Sequence, residues 1–246
     1  MSRYYCLDNP DTLTLSTTII ASAPGRLLLA ESPFYPGGGG QLPDRGLLRW
    51  AGGESAITGF DVQDGEVWHL LAETVEPPAG PVEAKVDPAF RQLMRELHTG
   101  LHIVNALVYQ SFNGALVTGV QMNADGTARI DFDLPEADND RLKALEPAIN
   151  DVIRQDLAVR ETFVTQAQAA AEPGLIRSRS VAPPPTPEGQ VRIVEIVGLD
   201  RQACGGTHLA STGASRPLRI LKIDNKGRHN RRLRIGLEGN PREGLS

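Results

Sequence analysis

Two short motifs hold the residues best able to do chemistry: His98-Thr-Gly-Leu-His102 and Cys204-Gly-Gly-Thr-His208. Positions i and i+4 of a helix share a face, so His98 and His102 can address one ion. Two solvent-facing histidines would give the same spacing by chance, and the pair alone does not separate the two readings. In the second motif, two glycines disfavour a helix and permit a tight loop that turns Cys204 and His208 toward a common point. A small buried cysteine beside an unrelated histidine is the plainer alternative. Together, His98, His102, Cys204 and His208 offer three imidazoles and one thiolate, a donor set typical of zinc, which predicts one Zn2+ per chain. Several zinc chemistries are excluded by the surrounding residues. A zincin protease needs Glu directly after the first His, where Thr99 stands. A base deaminase needs P-C-x-x-C, and a DNA-binding finger needs closely spaced cysteines. The only cysteines are Cys6 and Cys204.

A third stretch, SPFYPGGGGQLPDRG from Ser32 to Gly46, has four consecutive glycines. It is not a phosphate loop, because Gln41 follows where Lys and then Ser or Thr would be required. It lacks the G-x-G-x-x-G dinucleotide spacing, and aromatic and proline residues flank it where a linker would be polar. A shaped loop remains, in which backbone can approach a ligand closely.

These motifs need elements to position them. Residues 12–86 alternate short β-like runs (TLTLSTTII, RLLLAE, GLLRW, AITGF, EVWHLL, VEAKV) with Gly, Pro and Asp clusters, the pattern of a small barrel or sandwich. From Asp87-Pro88, a plausible N-cap and first helical residue, a helical period carries Phe90, Leu93, Met94, Leu97, Leu101, Val104 and Val108 to Gln110. Two β-like runs follow, Ala115–Met122 and Ala128–Phe132, joined by a turn at Asn123–Gly126. Asp138–Gln155 reads as one helix. A strand near Thr162–Thr165 and a short helix to Ala171 come next. APPPTPEG reads as a stiff surface loop. Arg192–Val197 is a strand, and Leu218–Ile223 with Arg231–Leu237 a final hairpin. The expected architecture is α+β: a β-barrel-like N-terminal domain over 1–86 carrying the glycine loop, then an antiparallel-rich α+β domain over 87–246.

The 246 residues carry a formal charge of −5 and 40% hydrophobic residues, ordinary for a globular protein. Two distant cysteines make no disulfide framework, which points to a reducing, cytoplasmic setting. The start MSRYYCLDNP has no signal-peptide pattern, and no apolar run is long enough to span a membrane. Charge is uneven, however. From Arg216 to Arg234 there are eight Lys or Arg against one acid, Asp224. A solvated hairpin face would read alike, but in an acidic chain this local excess suits a phosphate backbone.

HTGLH, CGGTH and the upstream FYPGGGGQ, together with MRELHTGLH, RIDFD from Arg129, VRIVEIVGLDRQACGGTH and LKIDNKGRHNRRLRI, resemble the editing domain of alanyl-tRNA synthetase, and most of all its free-standing AlaX trans-editing relatives. The likeness spans nearly the whole chain. One departure is Gly100-Leu101, where the synthetase form often has Ala-Thr. The resemblance implies an editing domain of the type shared with threonyl-tRNA synthetase, and zinc ligands at His98, His102, Cys204 and His208. It implies hydrolysis, in trans, of the ester in mischarged tRNA(Ala), chiefly Ser-tRNA(Ala), with Gly-tRNA(Ala) as a second candidate.

That chemistry assigns further roles. Zinc can polarise an ester carbonyl or lower the pKa of water, or it can merely orient the substrate's amino group. Four protein ligands usually close a site, whereas catalysis needs an open position, and weak ligation by Cys204 would reconcile the two. Rejecting alanine requires a partner for the serine hydroxyl. Thr118 and Gln121 on the strand after the helix are candidates, against ordinary strand polarity. Thr99 and Thr207 could reach substrate or cap backbone groups. Gly37, Gly38, Gly39, Gly40 and Gln41 are expected at the pocket rim, and Lys222, Lys226, Arg228, Arg231 and Arg232 against tRNA. Two alternatives stay open: a non-catalytic, zinc-stabilised RNA-binding module, and a metal-dependent esterase with another substrate.

Overall fold

The computed structural model describes residues 4–135, 138–177, 186, 188–227 and 229–239. The expected loop APPPTPEG falls largely outside them. Two compact units divide the chain: one runs to Gly38 and resumes over Leu42–Gln92, and the other comprises Gly39–Gln41 and the chain from Leu93 on.

The first unit starts with a single turn, α1 (Tyr5–Asp8), whose Cys6 and Leu7 pack on Tyr35. Six strands follow: β1 (Thr14–Ala23), β2 (Arg26–Leu29), β3 (Gly46–Trp50), β4 (Gly53–Gln63), β5 (Glu66–Leu71) and β6 (Gly80–Val86). They close into a barrel in the order β1-β2-β5-β4-β3-β6, each neighbour antiparallel. All six β-like runs of the sequence are accounted for. Alternation sets their faces: along β6, Val82, Ala84 and Val86 turn inward and their neighbours outward. Leu27, Leu48, Ile19 and Phe34 fill the interior.

Two buried polar groups stand out in this unit. His69 on β5 is buried, with Nε2 2.8 Å from Ser32 Oγ and its ring edge-on to Phe34 and Phe60. Burial pushes its pKa down to about 4. Arg91, fully buried, is paired with Asp44 and donates to the carbonyls of Pro33 (2.7 Å) and Pro10 (3.3 Å). Asp44 also accepts from the amide of Tyr35 at 2.6 Å. One ion pair thus ties down both ends of the Pro33–Asp44 segment.

The helix α2 (Pro88–Ser111) begins as its cap chemistry dictates: Asp87 Oδ1 accepts from the amides of Ala89 and Phe90. The second unit adds β7 (Val117–Met122), β8 (Thr127–Asp133), α3 (Asn139–Lys143), α4 (Glu146–Arg154), β9 (Val159–Thr165), α5 (Gln166–Ala171), β10 (Gln190–Ile196) and β11 (Asp200–Ala203). A 3-10 turn over Thr212–Ala214 precedes the hairpin β12 (Leu218–Lys226) and β13 (Asn230–Leu237). Two antiparallel sheets result, β11-β10-β9 and β12-β13-β8-β7.

The single helix expected over Asp138–Gln155 is in fact two. Asp138 caps α3, but Pro147 has no N–H to return to Lys143, and the chain breaks at Ala144-Leu145 before α4 starts. The strand β11 was not expected. Its buried positions are Asp200 and Gln202, so it lacks the apolar alternation that marks a strand.

Both edges of the four-stranded sheet are covered in part. On β7, the amides of Val117 and Met122 donate to the carbonyls of Arg177 (2.9 Å) and Gly40 (2.8 Å). On β12, Asn150 bonds both backbone groups of Leu218, and Glu146 accepts from the Ile220 amide.

Candidate metal centre

Helical spacing puts His98 and His102 on one face of α2, with ring centroids 5.3 Å apart. The loop after β11 brings Cys204 and His208 to them. Cys204 Sγ lies 3.3 Å from His98 Nε2 and 3.2 Å from His208 Nε2. One ligand atom from each of the four lies within 4.8 Å of all the others, and all four residues are buried. Donors bound 2.0–2.3 Å from a shared tetrahedral ion sit roughly 3.5 Å apart, so the set fits a zinc-sized ion. Burial holds His98 and His208 well below the ordinary imidazole value and pulls His102 down to about 3. They are therefore neutral, the form that ligates. Burial pushes the Cys204 thiol up, and the Arg192 guanidinium opposes this.

Around the four donors is a bracing set. Thr99 Oγ1 accepts from the Leu209 amide at 3.1 Å and lies 3.3 Å from His208 Nδ1. Gln41 Oε1 accepts from the Thr207 amide at 3.1 Å and lies 2.8 Å from His98 Nδ1, while Gln41 Nε2 donates to Thr207 Oγ1 at 2.8 Å. Arg192, on β10, donates Nη1 to the carbonyls of Cys204 and Gly206 and pairs with Glu161 on β9. Gly206 is required: a Cβ there would sit 2.7 Å from Gln41 Oε1 and closer still to the His98 ring.

The glycine run has a backbone explanation. Gly37, Gly38, Gly39 and Gly40 all have positive φ, at 95°, 125°, 59° and 84°. A Cβ on Gly40 would also fall 2.7 Å from the Val120 carbonyl oxygen. Gln41 follows this path into the bracing set and is 3% exposed, deeper than a rim position.

The other expected site residues make contacts of their own. Thr118 is the extra residue of a bulge between Val117 and Gly119, its hydroxyl 3.4 Å from Asn230 Oδ1. Gln121 is exposed and bonded to Asn123 and Arg129. The basic run meets acids: Arg216 pairs with Glu96, Arg219 with Glu146 and Glu238, and Arg232 with Asp131, all outside the run, while Lys222 and Arg234 pair with Asp224 within it. Arg231 is buried and Lys226 exposed. Arg228 lies outside the described residues. Sequence reasoning missed Arg192 and Glu161. The signal for Arg192 was a charge set among Val191, Ile193 and Val194 on a strand whose residues are buried in succession.

Residues 191–234 match the family model of the threonyl and alanyl tRNA synthetase second additional domain. The chain is 35% identical over 211 residues to the alanyl-tRNA editing protein AlaX-M of Saccharolobus solfataricus, covering 84% of this chain and 86% of that protein. The chain belongs to the AlaX family of alanyl-tRNA editing proteins. A second AlaX-M, from Methanosarcina barkeri, is 34% identical with the same coverage. An alanine–tRNA ligase of Thermofilum pendens is 33% identical over 91% of this chain, which spans only 24% of that ligase. Among the described residues of this AlaX family member, no helix is long and apolar enough to cross a membrane.

Proposed function

We propose that this chain hydrolyses, in trans, the ester of mischarged tRNA(Ala), chiefly Ser-tRNA(Ala) and also Gly-tRNA(Ala), with zinc held by His98, His102, Cys204 and His208. The observation that carries this reading is the convergence of four buried donor atoms within 4.8 Å. Membership of a family whose named proteins edit alanyl-tRNA supports it.

A bound zinc ion supplies Lewis acidity toward an ester carbonyl and lowers the pKa of water. The chain's own residues do the rest. Thr99 and Thr207, committed to His208 and Gln41, hold the ligands in place. Weak ligation by Cys204 would free a coordination position, and burial favours its protonated form, which does not ligate. For the serine hydroxyl we favour Thr118, because bulges re-aim side chains beside active sites and its one hydrogen bond is long. Gln121 would have to exchange its bonds to Asn123 and Arg129 for substrate. Lys222 and Lys226, exposed on β12, are the proposed phosphate contacts, joined by Arg231 and Arg232 only if they leave their present positions.

A second reading has an observation in its favour. Four protein ligands, each at most 8% exposed, are also what a structural zinc site looks like. Deacylation of Ser-tRNA(Ala) and Ala-tRNA(Ala), with metal content and a chelator control, separates the two. The enzyme reading expects hydrolysis of Ser-tRNA(Ala), sparing of Ala-tRNA(Ala), and loss of turnover in a folded His98→Ala variant. Absence of turnover together with unfolding on zinc removal would assign the structural role.

A further inference from the structure

We propose that Gln41 is a positioning residue: its amide holds His98 as the Nδ1–H tautomer and so presents the Nε2 lone pair to the ion bound by the cluster. This rests on the metal reading above. The argument starts from Thr207. A backbone N–H can only donate, so the Gln41 atom 3.1 Å from the Thr207 amide is the oxygen. The same oxygen lies 2.8 Å from His98 Nδ1, which must therefore be the donor. In a neutral imidazole the lone pair is then on Nε2, the atom that faces Cys204 Sγ at 3.3 Å. Gln41 Nε2 is itself satisfied by Thr207 Oγ1, so the amide cannot flip without leaving two donors opposed.

A second observation concerns delivery. Four successive residues with positive φ and a hydrogen bond from Met122 to the Gly40 carbonyl bring Gln41 to this spot. Gly206 leaves the space the amide and the imidazole share. Metal-bound histidines usually donate their other N–H to a carboxylate or carbonyl, and loss of such a partner weakens metal binding about 10- to 100-fold. A carboxamide does the orienting without adding a negative charge, and so leaves the ion more electrophilic than a carboxylate would.

The test compares the full chain with Gln41→Ala and Gln41→Glu by two readouts. One is zinc affinity by chelator competition. The other is the histidine side-chain 1H–15N spectrum with and without zinc. Expected are a loss of about 10- to 100-fold in zinc affinity for Gln41→Ala, with disappearance of the persistent His98 Nδ1–H signal. Glu keeps the acceptor, so Gln41→Glu should retain that signal and bind zinc at least as tightly as the parent. Unchanged affinity and signal in Gln41→Ala would overturn the proposal, as would equal losses in both variants, which would indicate packing alone. Should the parent bind no zinc, the metal reading fails. The Nδ1–H signal in the metal-free chain then judges Gln41 by itself, kept in Glu and lost in Ala, or not. If the alanine variant does not fold, Gln41→Asn, an amide one methylene too short, replaces it.

Discussion

Arg192 and Cys204 are bonded to each other twice: the Cys204 amide donates to the Arg192 carbonyl at 3.1 Å, and Arg192 Nη1 donates to the Cys204 carbonyl at 2.8 Å. The strand bond sets where the ligand loop leaves β11, and the guanidinium, by also reaching the Gly206 carbonyl, sets how it turns.

Arg192→Ala should therefore damage both fold and metal site. It leaves Glu161 without its partner and two loop carbonyls without donors, at a cost of about 3 kcal/mol. Arg192→Lys keeps the charge but cannot fork across Glu161 and both carbonyls. Urea unfolding and metal content of the two variants check this. A lysine variant with parental zinc content would show that the fork is dispensable.

Gly206→Ala tests the same loop from its inner side. The added methyl would overlap the His98 ring and crowd Gln41 Oε1. We expect at least a tenfold loss of zinc affinity, in the range for disturbing a ligand's support. An alanine variant binding zinc as tightly as the parent would mean that the loop can shift at little cost.

Zinc binding should release one proton, not several. The Cys204 thiol, raised by burial, is protonated at neutral pH in the metal-free chain and must lose its proton to ligate. The three histidines are held below their ordinary value and are already neutral. Affinity should thus rise about tenfold per pH unit between roughly pH 5 and 8. Imidazoles with ordinary values would steepen the slope below about pH 6.5. Chelator competition across that range distinguishes a slope of one from a slope that grows.

His69 makes the barrel sensitive to acid. Its folded pKa is about 4 against an ordinary 6.5, so below 6.5 the unfolded chain binds a proton that the folded one refuses. Stability is fully present above pH 6.5 and is lost as pH falls toward 4, by about 3 kcal/mol. His69→Gln removes this term. The variant should lose ground to the parent at pH 7 and recover about that amount by pH 4, as read by urea midpoints at each pH. Parallel curves for the two proteins would contradict the assignment.

The residues show what was legible in the sequence and what was not. Asp87 and Pro88 announced the start of α2 because capping is local chemistry, and the six barrel strands announced themselves as short β-like runs between Gly, Pro and Asp clusters. The four clustered donors, His98, His102, Cys204 and His208, were legible from residue type and spacing. Gln41 and Arg192 were not, because their partners lie 57 and 12 residues away or more, and no local pattern records such pairing. Pro147 was in plain view, yet the helical period on either side of it masked the break. The acids that answer the basic run, Glu96, Asp131, Glu146 and Glu238, come from other elements and could not be read from the run itself.

The treatment of strand borders has a consequence for how this chain behaves in company. A closed barrel has no lateral border, and the four-stranded sheet has Arg177 and Gly40 along one side and Asn150 and Glu146 along the other. At these positions a stray β-segment finds no vacant donors or acceptors to add onto. The side chains that seal those borders, Asn150 and Glu146, thus limit edge-to-edge pairing with a second copy there as much as they fix the shape of the sheet.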